Sequence, residues 1–368
     1  MLPVLTTVAL LLHLYPAARL LEGSGLTSGW AAIGIGASLA VLMVACFIAG
    51  HVKGMDRVGS AGNIWLGVIF QLFIWTAIGE LLRLVLTLAD VPNRGAIVAI
   101  TVLAVTLGVL AWGMWRALGT VPVVRVEIPI SGLHPDLDGL RAVQITDTHL
   151  SPLLGQRWLA RIVDRVNELD ADICFHTGDL ADGRVEARDA SVGELARVTA
   201  TDRFYITGNH EYYGDAEHWG RRMTDLGWQF MHNRHVVLRR GEGTLVIAGI
   251  DDPTGTGSGL VGHGPHLDAA LDGAPPGVPV VLLAHQPKQV RDAIRRDVDL
   301  QLAGHTHGGQ MWPFRYAVRA DQKYVSGLHR ASERTQIYVS RGTGFWGPPF
   351  RIGAPPEITE ITLRRATD

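Results

Sequence analysis

Two histidines one residue apart occupy a glycine-flanked turn, Gly304-His305-Thr306-His307-Gly308-Gly309-Gln310, directly behind the apolar run Leu300-Gln301-Leu302-Ala303. Residues i and i+2 of an extended segment point the same way, so both imidazoles can face one spot. Other apolar runs end on groups of the same kind. Ala142–Thr146 leads into Asp147-Thr148-His149, and Ile173–Thr177 leads into Gly178-Asp179. Phe204–Thr207 leads into Gly208-Asn209, and Val280–Ala284 leads into His285. The set Asp147, His149, Asp179, Asn209, His285, His305 and His307 offers oxygen and nitrogen ligands and no thiolate. It suits Mn, Fe or Zn and argues against a Cys-rich structural zinc. Seven ligands are more than one ion needs. Two divalent ions sharing a carboxylate fit the count, and such a pair about 3.5–4 Å apart can clamp both oxygens of an in-line phosphoryl displacement.

Positioning these groups takes repeated strand, loop and helix units, an α/β pattern whose ligand crevice lies at the carboxyl ends of the strands. Val123–Ile130 alternates apolar and charged residues and reads as an entry strand, with Pro122 and Pro129 marking an edge position. Trp158, Leu159, Ile162, Val163, Val166 and Leu169 form one helical apolar face. Leu245–Ile250 is a further strand, and Asp251-Asp252-Pro253 at its end reads as a turn or cap. The Gly-rich stretch Thr254–Gly264 reads as a mobile loop. His176 reads as a core or surface histidine. His232, His235, His263, His266 and His329 read as solvent or loop residues, and His218 and Trp219 as packing residues of a helix.

The 368 residues leave room for about two domains. Hydrophobic residues make up 47%, and the excess is concentrated in the first 116 positions. Four apolar stretches there, roughly 2–21, 30–49, 64–89 and 95–115, approach the ~20 residues needed to cross a bilayer. The first is the weakest, with His13, Pro16 and Arg19 inside it; lacking a basic leader region, it reads as retained. Lys53, Arg57, Arg116 and Arg125 outnumber Arg19 and Arg94 on the opposite side, which favours a cytoplasmic C-terminal domain. Glu80 and Arg83 can pair at i, i+3 spacing. A net charge of −2 gives no basic field for nucleic acid. Two cysteines, Cys46 and Cys174, exclude a disulfide framework.

Asp147-Thr148-His149, Gly178-Asp179-Leu180-Ala181-Asp182, Gly208-Asn209-His210-Glu211, His285 and Gly304-His305-Thr306-His307, in that order, resemble the calcineurin-like metallophosphoesterases. The resemblance covers roughly residues 121–365. It implies a two-sheet β-sandwich flanked by helices over 117–368, preceded by a four-helix transmembrane module over 1–116. It further implies that Asp147, His149, Asp179 and His307 hold one metal. Asp179 would bridge to a second, held also by Asn209, His285 and His305. A hydroxide between the metals would be the nucleophile, with His210 as acid or transition-state stabiliser, oriented by Asp182. The protein-phosphatase members carry Arg directly after the second Asp of the Gly-Asp motif. Here Gly183 stands there and Arg184 is displaced by one, which disfavours a protein substrate.

Gly304–Gln310 with Met311-Trp312-Pro313, and Ser340–Gly344 with Phe345–Pro349, look like the membrane-associated bacterial branch of that family. Some of its members are similar to enzymes that cleave the pyrophosphate of UDP-diacylglucosamine, so a lipid-linked phosphoester substrate is one expectation and a soluble phosphodiester the other. Trp312, Phe314, Phe345, Trp346 and Phe350 either form a lipid-facing rim or pack in the interior. A non-enzymatic role, transport or signalling with the metal domain as sensor or tether, is the remaining alternative. The spans lack the paired broken helices of transporters.

Overall fold

A computed structural model of the chain describes residues 2–51 and 55–366. It divides into two compact units: residues 1–118 with 347–352, and residues 119–346 with 353–368. Each is taken by itself.

The first unit is helical: α1 (Leu2–Pro16), α2 (Gly29–His51), α3 (Asp56–Leu88) and α4 (Arg94–Leu118). Among the described residues, three helical segments are long and apolar enough to cross a bilayer: Gly29–Gly50, Asp56–Leu88 and Arg94–Leu118. The expected first span is instead broken. α1 stops at Pro16 and a six-residue π-helix, Ala17–Glu22, follows. Proline has no N–H to continue the i to i−4 ladder, and a wider turn is the usual accommodation. α3 begins eight residues earlier than the apolar pattern indicates. Its first turns carry Gly59 and Gly62, both buried, and a Cβ on Gly59 would lie 3.0 Å from the Gly50 Cα. Small residues let α2 and α3 approach closely, which holds this polar stretch in a helix. Part of the polar connector read between the second and third stretches, Val52 to Gly54, lies outside the described residues.

Glu80 takes two partners. Arg83 Nε lies 3.5 Å away as the spacing indicates, and Arg19 Nε donates to Oε1 at 2.8 Å. A carboxylate within an apolar bundle needs such pairing, since unpaired charge is costly there. Phe350 is buried within this unit, its ring against the bare face of Gly67, and the Arg351 amide donates to Gly113 O at 2.9 Å.

Among the described residues the second unit holds twelve strands: β1 (Val123–Ile130), β2 (Arg141–Ile145), β3 (Ile173–Thr177), β4 (Asp202–Ile206), β5 (Gln229–Phe230) and β6 (Arg234–Arg240), then β7 (Gly243–Gly249), β8 (Val280–Leu283), β9 (Leu300–Ala303), β10 (Gly327–Arg330), β11 (Gln336–Val339) and β12 (Ile358–Arg365). They form two six-stranded sheets, ordered β1-β12-β2-β3-β4-β5 and β10-β11-β9-β8-β7-β6. The entry strand sits at a sheet edge, where Pro129 forfeits no ladder bond that the sheet needs. β2, β3 and β4 run parallel in one sheet, and β7, β8 and β9 in the other. Phe175, Phe204, Ile361, Leu245, Ile247, Val281 and Leu302, drawn from both sheets, form one buried cluster. Each such side chain contributes about 1.5–3 kcal/mol by leaving water. The other side of the second sheet buries Ala248, Leu282, Ala303 and Val339 with Val290 and Ala293 of the helix Val290–Arg295. The central strands are thus buried on both faces, as parallel strands generally are.

Candidate metal centre

Asp147 and His149 follow β2, Asp179 and Asp182 follow β3, and Asn209 and His210 open the helix Asn209–Gly214 after β4. From the other sheet come His285 after β8, and His305 and His307 after β9. These loops converge. His307 Nε2 lies 3.4 Å from Asp147 Oδ1, and 3.0 Å from His149 Nε2. His149 Nε2 is 3.6 Å and His285 Nε2 3.2 Å from Asp179 Oδ2. The ligand atoms of Asp147, His149 and His307 lie within 4.8 Å of one another, as do those of Asp179, His285 and His305. The spacing thus gives two neighbouring groups, and His149 Nε2 and Asp179 Oδ2 link them.

Local backbone geometry makes this convergence possible, at a cost. Asp147, His149, Asp179, His305 and His307 all adopt left-handed φ, between 42° and 68°. Each costs on the order of 1–2 kcal/mol for a residue with a Cβ. Five of the seven predicted ligands therefore sit in strained conformations, held by the surrounding hydrogen bonds. Asp147 N donates to Gly178 O at 3.0 Å, and His305 N donates to Asp147 Oδ1 at 2.9 Å. Gly304 is sterically required: a Cβ there would overlap the Asp147 carboxylate and the Thr146 hydroxyl.

The residues fit divalent cations. His285 Nδ1 donates to Thr177 O at 2.7 Å, which fixes the tautomer and leaves Nε2 bare and buried without a hydrogen-bond partner. His149 Nδ1 donates to Asp182 Oδ1 at 2.9 Å, so its Nε2 also presents a lone pair inward. That nitrogen faces His307 Nε2, and two such atoms 3.0 Å apart share at most one proton. The Asn209 Oδ1 is likewise buried and without a partner. Bare imidazole nitrogens oriented by a carbonyl or carboxylate are the usual outer arrangement of a metal-ligating histidine. Burial pushes His305 down to about 3, so it is neutral and able to ligate. Burial disfavours charge on Asp179, but the flanking His285, His210 and His149 hold it well below the usual carboxylate range.

His210 stands beside this cluster. Its Nδ1 lies 2.8 Å from Asp182 Oδ1, and its backbone N–H donates to Asp179 Oδ1 at 2.9 Å. Burial opposes its charge, yet Asp179 and Asp182 together raise it to about 9. Asp182 therefore orients two rings from one oxygen, those of His149 and His210.

Several contributors escape a motif reading. Glu211 is buried, and its carboxylate accepts from Asp179 N at 3.1 Å, Leu180 N at 2.7 Å and Gly208 N at 2.5 Å. It fastens two ligand loops to each other. Its one sequence signal is the capping spacing, three residues after the helix-preceding Gly208. His176 is a buried core residue hydrogen-bonded to the Thr148 hydroxyl at 3.1 Å. Trp346 and Tyr213, both more than half exposed, flank His210 at ring-centroid distances of 6.2 and 5.2 Å. The Gln310 side chain holds Trp346, donating to its carbonyl at 2.7 Å and accepting from its N–H at 2.9 Å. Of the aromatic group expected at a rim, Phe345 is buried, while Phe314 and Trp346 are exposed.

Residues 140–309 match the family described as calcineurin-like phosphoesterase. The chain is 35% identical over 315 residues to a transmembrane protein with metallophosphoesterase domain from Danio rerio, covering 83% of this chain and 72% of that one. It is 32% identical over 303 residues to an uncharacterized metallophosphoesterase of Campylobacter jejuni, covering 80% and 79%. Among solved structures, a 5′-nucleotidase precursor from Thermus thermophilus aligns with a TM-score of 0.37 at 16% identity, over 56% of this chain and 49% of that one. With its convergent His and Asp groups and its apolar helices, the chain belongs to the calcineurin-like metallophosphoesterases and is a metal-dependent phosphoester hydrolase.

Proposed function

We propose that this protein is a membrane-anchored binuclear phosphoesterase that cleaves phosphodiester or pyrophosphate bonds, on a lipid-linked substrate. The observation that carries the proposal is the pairing of two ligand groups through Asp179, with His210 tethered beside them. Asp147, His149, Asp179 and His307 would hold one cation, and Asp179, Asn209, His285 and His305 the other. When bound, two divalent cations supply Lewis acidity: they neutralise phosphoryl charge and lower the pKa of water. The remaining work falls to the chain. Asp182 keeps His210 protonated and aimed with its other nitrogen away from the carboxylate, so His210 can stabilise the transition state and protonate the leaving oxygen. Asp182 and Thr177 O keep His149 and His285 in the ligating tautomer. Gly183 leaves no arginine directly behind Asp182 to meet charge on the substrate.

The lipid reading draws on the apolar helices in the same chain, on Trp346 and Tyr213 exposed beside His210, and on the exposed Phe314, since aromatic side chains favour the bilayer interface. A cytoplasmic catalytic domain follows from Lys53, Arg57, Arg116 and Arg125. These fall on one side whether or not the first helix crosses. The test compares a lipid-linked pyrophosphate with an activated soluble phosphodiester, using full-length protein in detergent, stripped and reloaded with Mn²⁺. The expected result is a higher kcat/KM on the lipid substrate, reduced about tenfold or more in Trp346→Ala. Equal rates on both substrates, unchanged in that variant, would leave a soluble phosphodiester as the substrate. A reporter fused after the last residue reads sidedness.

A further inference from the structure

His232, Asp251 and His263 form a second cluster of ligand-type side chains, apart from the seven residues above. Their ligand atoms lie within 4.8 Å of one another. Asp251, just past β7, is buried, and so is the His263 side chain, at 5% exposure. His232 Nδ1 lies 2.8 Å from Asp251 Oδ1, and His263 Nδ1 lies 3.5 Å from Oδ2. The Tyr212 hydroxyl lies 3.0 Å from the same His263 nitrogen. The two imidazole rings stand side by side, with centroids 4.5 Å apart.

Two imidazoles turned toward one carboxylate, with a phenol closing the group, give an N₂O₂ set. A tetrahedral zinc with bonds near 2.0–2.2 Å has ligand-to-ligand edges of about 3.3 Å. The distances of 2.8, 3.0 and 3.5 Å bracket that value. The main centre shows the same spread, from 3.0 to 3.6 Å between its ligand atoms. Protons can fill part of this arrangement, since Gly264 N donates to Asp251 Oδ2 at 3.1 Å and His232 can donate to Oδ1. The Tyr212 hydroxyl can likewise donate to His263 Nδ1, and Asn233 Nδ2 donates to Asp251 Oδ2 at 3.4 Å, so a bound cation would replace protons that hold these same atoms together.

We propose that His232, Asp251, His263 and the Tyr212 hydroxyl form a third, mononuclear site for a divalent transition-metal cation, zinc by its donor set. The site is structural. It ties the glycine-rich loop 253–264 to Tyr212, which lies two positions, about 200° around the helix, from His210. Loop and catalytic helix are thereby pinned from the face opposite the centre.

The test counts zinc in full-length protein, purified in detergent, stripped with chelator and dialysed against buffered Zn²⁺. Wild type is expected to hold three equivalents per chain, and His232→Ala and His263→Ala two each, the retained pair showing that the fold survives. Two equivalents in wild type, or three in both variants, would overturn the assignment. A variant holding fewer than two has lost the main centre as well. The decision then passes to wild type, where zinc must protect His263 from diethylpyrocarbonate. Equal modification with and without zinc would also overturn it.

Discussion

Replacing Gly304 by Ala adds one methyl group where the fold has no room for it. The new Cβ would overlap the Asp147 carboxylate and the Thr146 hydroxyl, and it would also meet Thr146 Cγ2 at 3.0 Å. Relief requires Asp147, or the whole His305–His307 turn, to retreat by about 1 Å, a displacement that can cost on the order of 10²-fold in rate. Asp147 is fully buried and accepts from His305 N through both of its oxygens, so it cannot swing aside without losing those bonds. Overpacking of this kind costs about 1–3 kcal/mol of stability. Gly304→Ala is therefore expected to fold, to lose about 10²-fold in turnover of an activated phosphodiester, and to need more Mn²⁺ for half-maximal activity. Gly155→Ala is the control, since its Cβ would come no closer than 3.9 Å to another group; its kinetics and Mn²⁺ dependence should match wild type, with up to about 1 kcal/mol of stability lost at the helix cap it forms. Steady-state kinetics across a Mn²⁺ titration, with thermal unfolding of both variants, reads the outcome. Wild-type kinetics and Mn²⁺ dependence in Gly304→Ala would refute the placement of Asp147 against this turn.

Two further perturbations separate roles within the chain. Asp182 Oδ1 serves both His149 and His210, so Asp182→Asn keeps an acceptor while removing the charge, and Asp182→Ala removes both. His210 is raised to about 9, so the ring holds its proton at neutral pH and activity should fall as pH rises through that value. Asp182→Asn should move this alkaline limb to lower pH, and Asp182→Ala should also lose about 10–100-fold in metal affinity; an unmoved limb would remove Asp182 from His210's protonation. In the helical unit, Glu80→Ala leaves Arg19 and Arg83 without their carboxylate and should cost about 1–2 kcal/mol. The double variant with Arg19→Ala should recover part of it in thermal unfolding of the detergent-solubilised chain, and strict additivity would show that the pair does not interact.

Strand-end residues were the most legible part of the molecule, because burial forces a polar side chain at such a position to find a partner. Six of the seven predicted ligands lie in two groups of close ligand atoms, and the seventh, Asn209, precedes His210, whose N–H reaches Asp179. The route by which they do so was not legible. Left-handed φ at Asp147, His149, Asp179, His305 and His307 follows from loop closure between two sheets; Asp and His adopt it more readily than most residues, but most Asp and His do not, so the residue types alone did not announce it. Glu211 was hidden in a spacing that an ordinary helix cap also shows. His232 and His263 lie 31 positions apart on segments that read as polar loops; the pairing of β6 with β7 brings His232 to Asp251, and the return of the loop after β7 brings His263. In the apolar third, hydropathy located the helices. It did not anticipate the π-helix after Pro16, nor the glycine contact that extends α3 into a polar stretch. Arg19 and Glu80 are 61 residues apart, so their pairing depends on helix packing alone.

The central claim is that Asp179 joins two cations into one hydrolytic centre. Its most direct test is turnover of an activated phosphodiester by full-length protein, stripped with chelator and reloaded with Mn²⁺, alongside Asp179→Asn. Wild type should be inactive when stripped and recover with close to two equivalents of Mn²⁺ at the main centre. Asp179→Asn should stay at least 10³-fold below it at any Mn²⁺ concentration, since the variant lacks the charge that both groups share. Full turnover in the stripped protein, or in Asp179→Asn, would contradict the account.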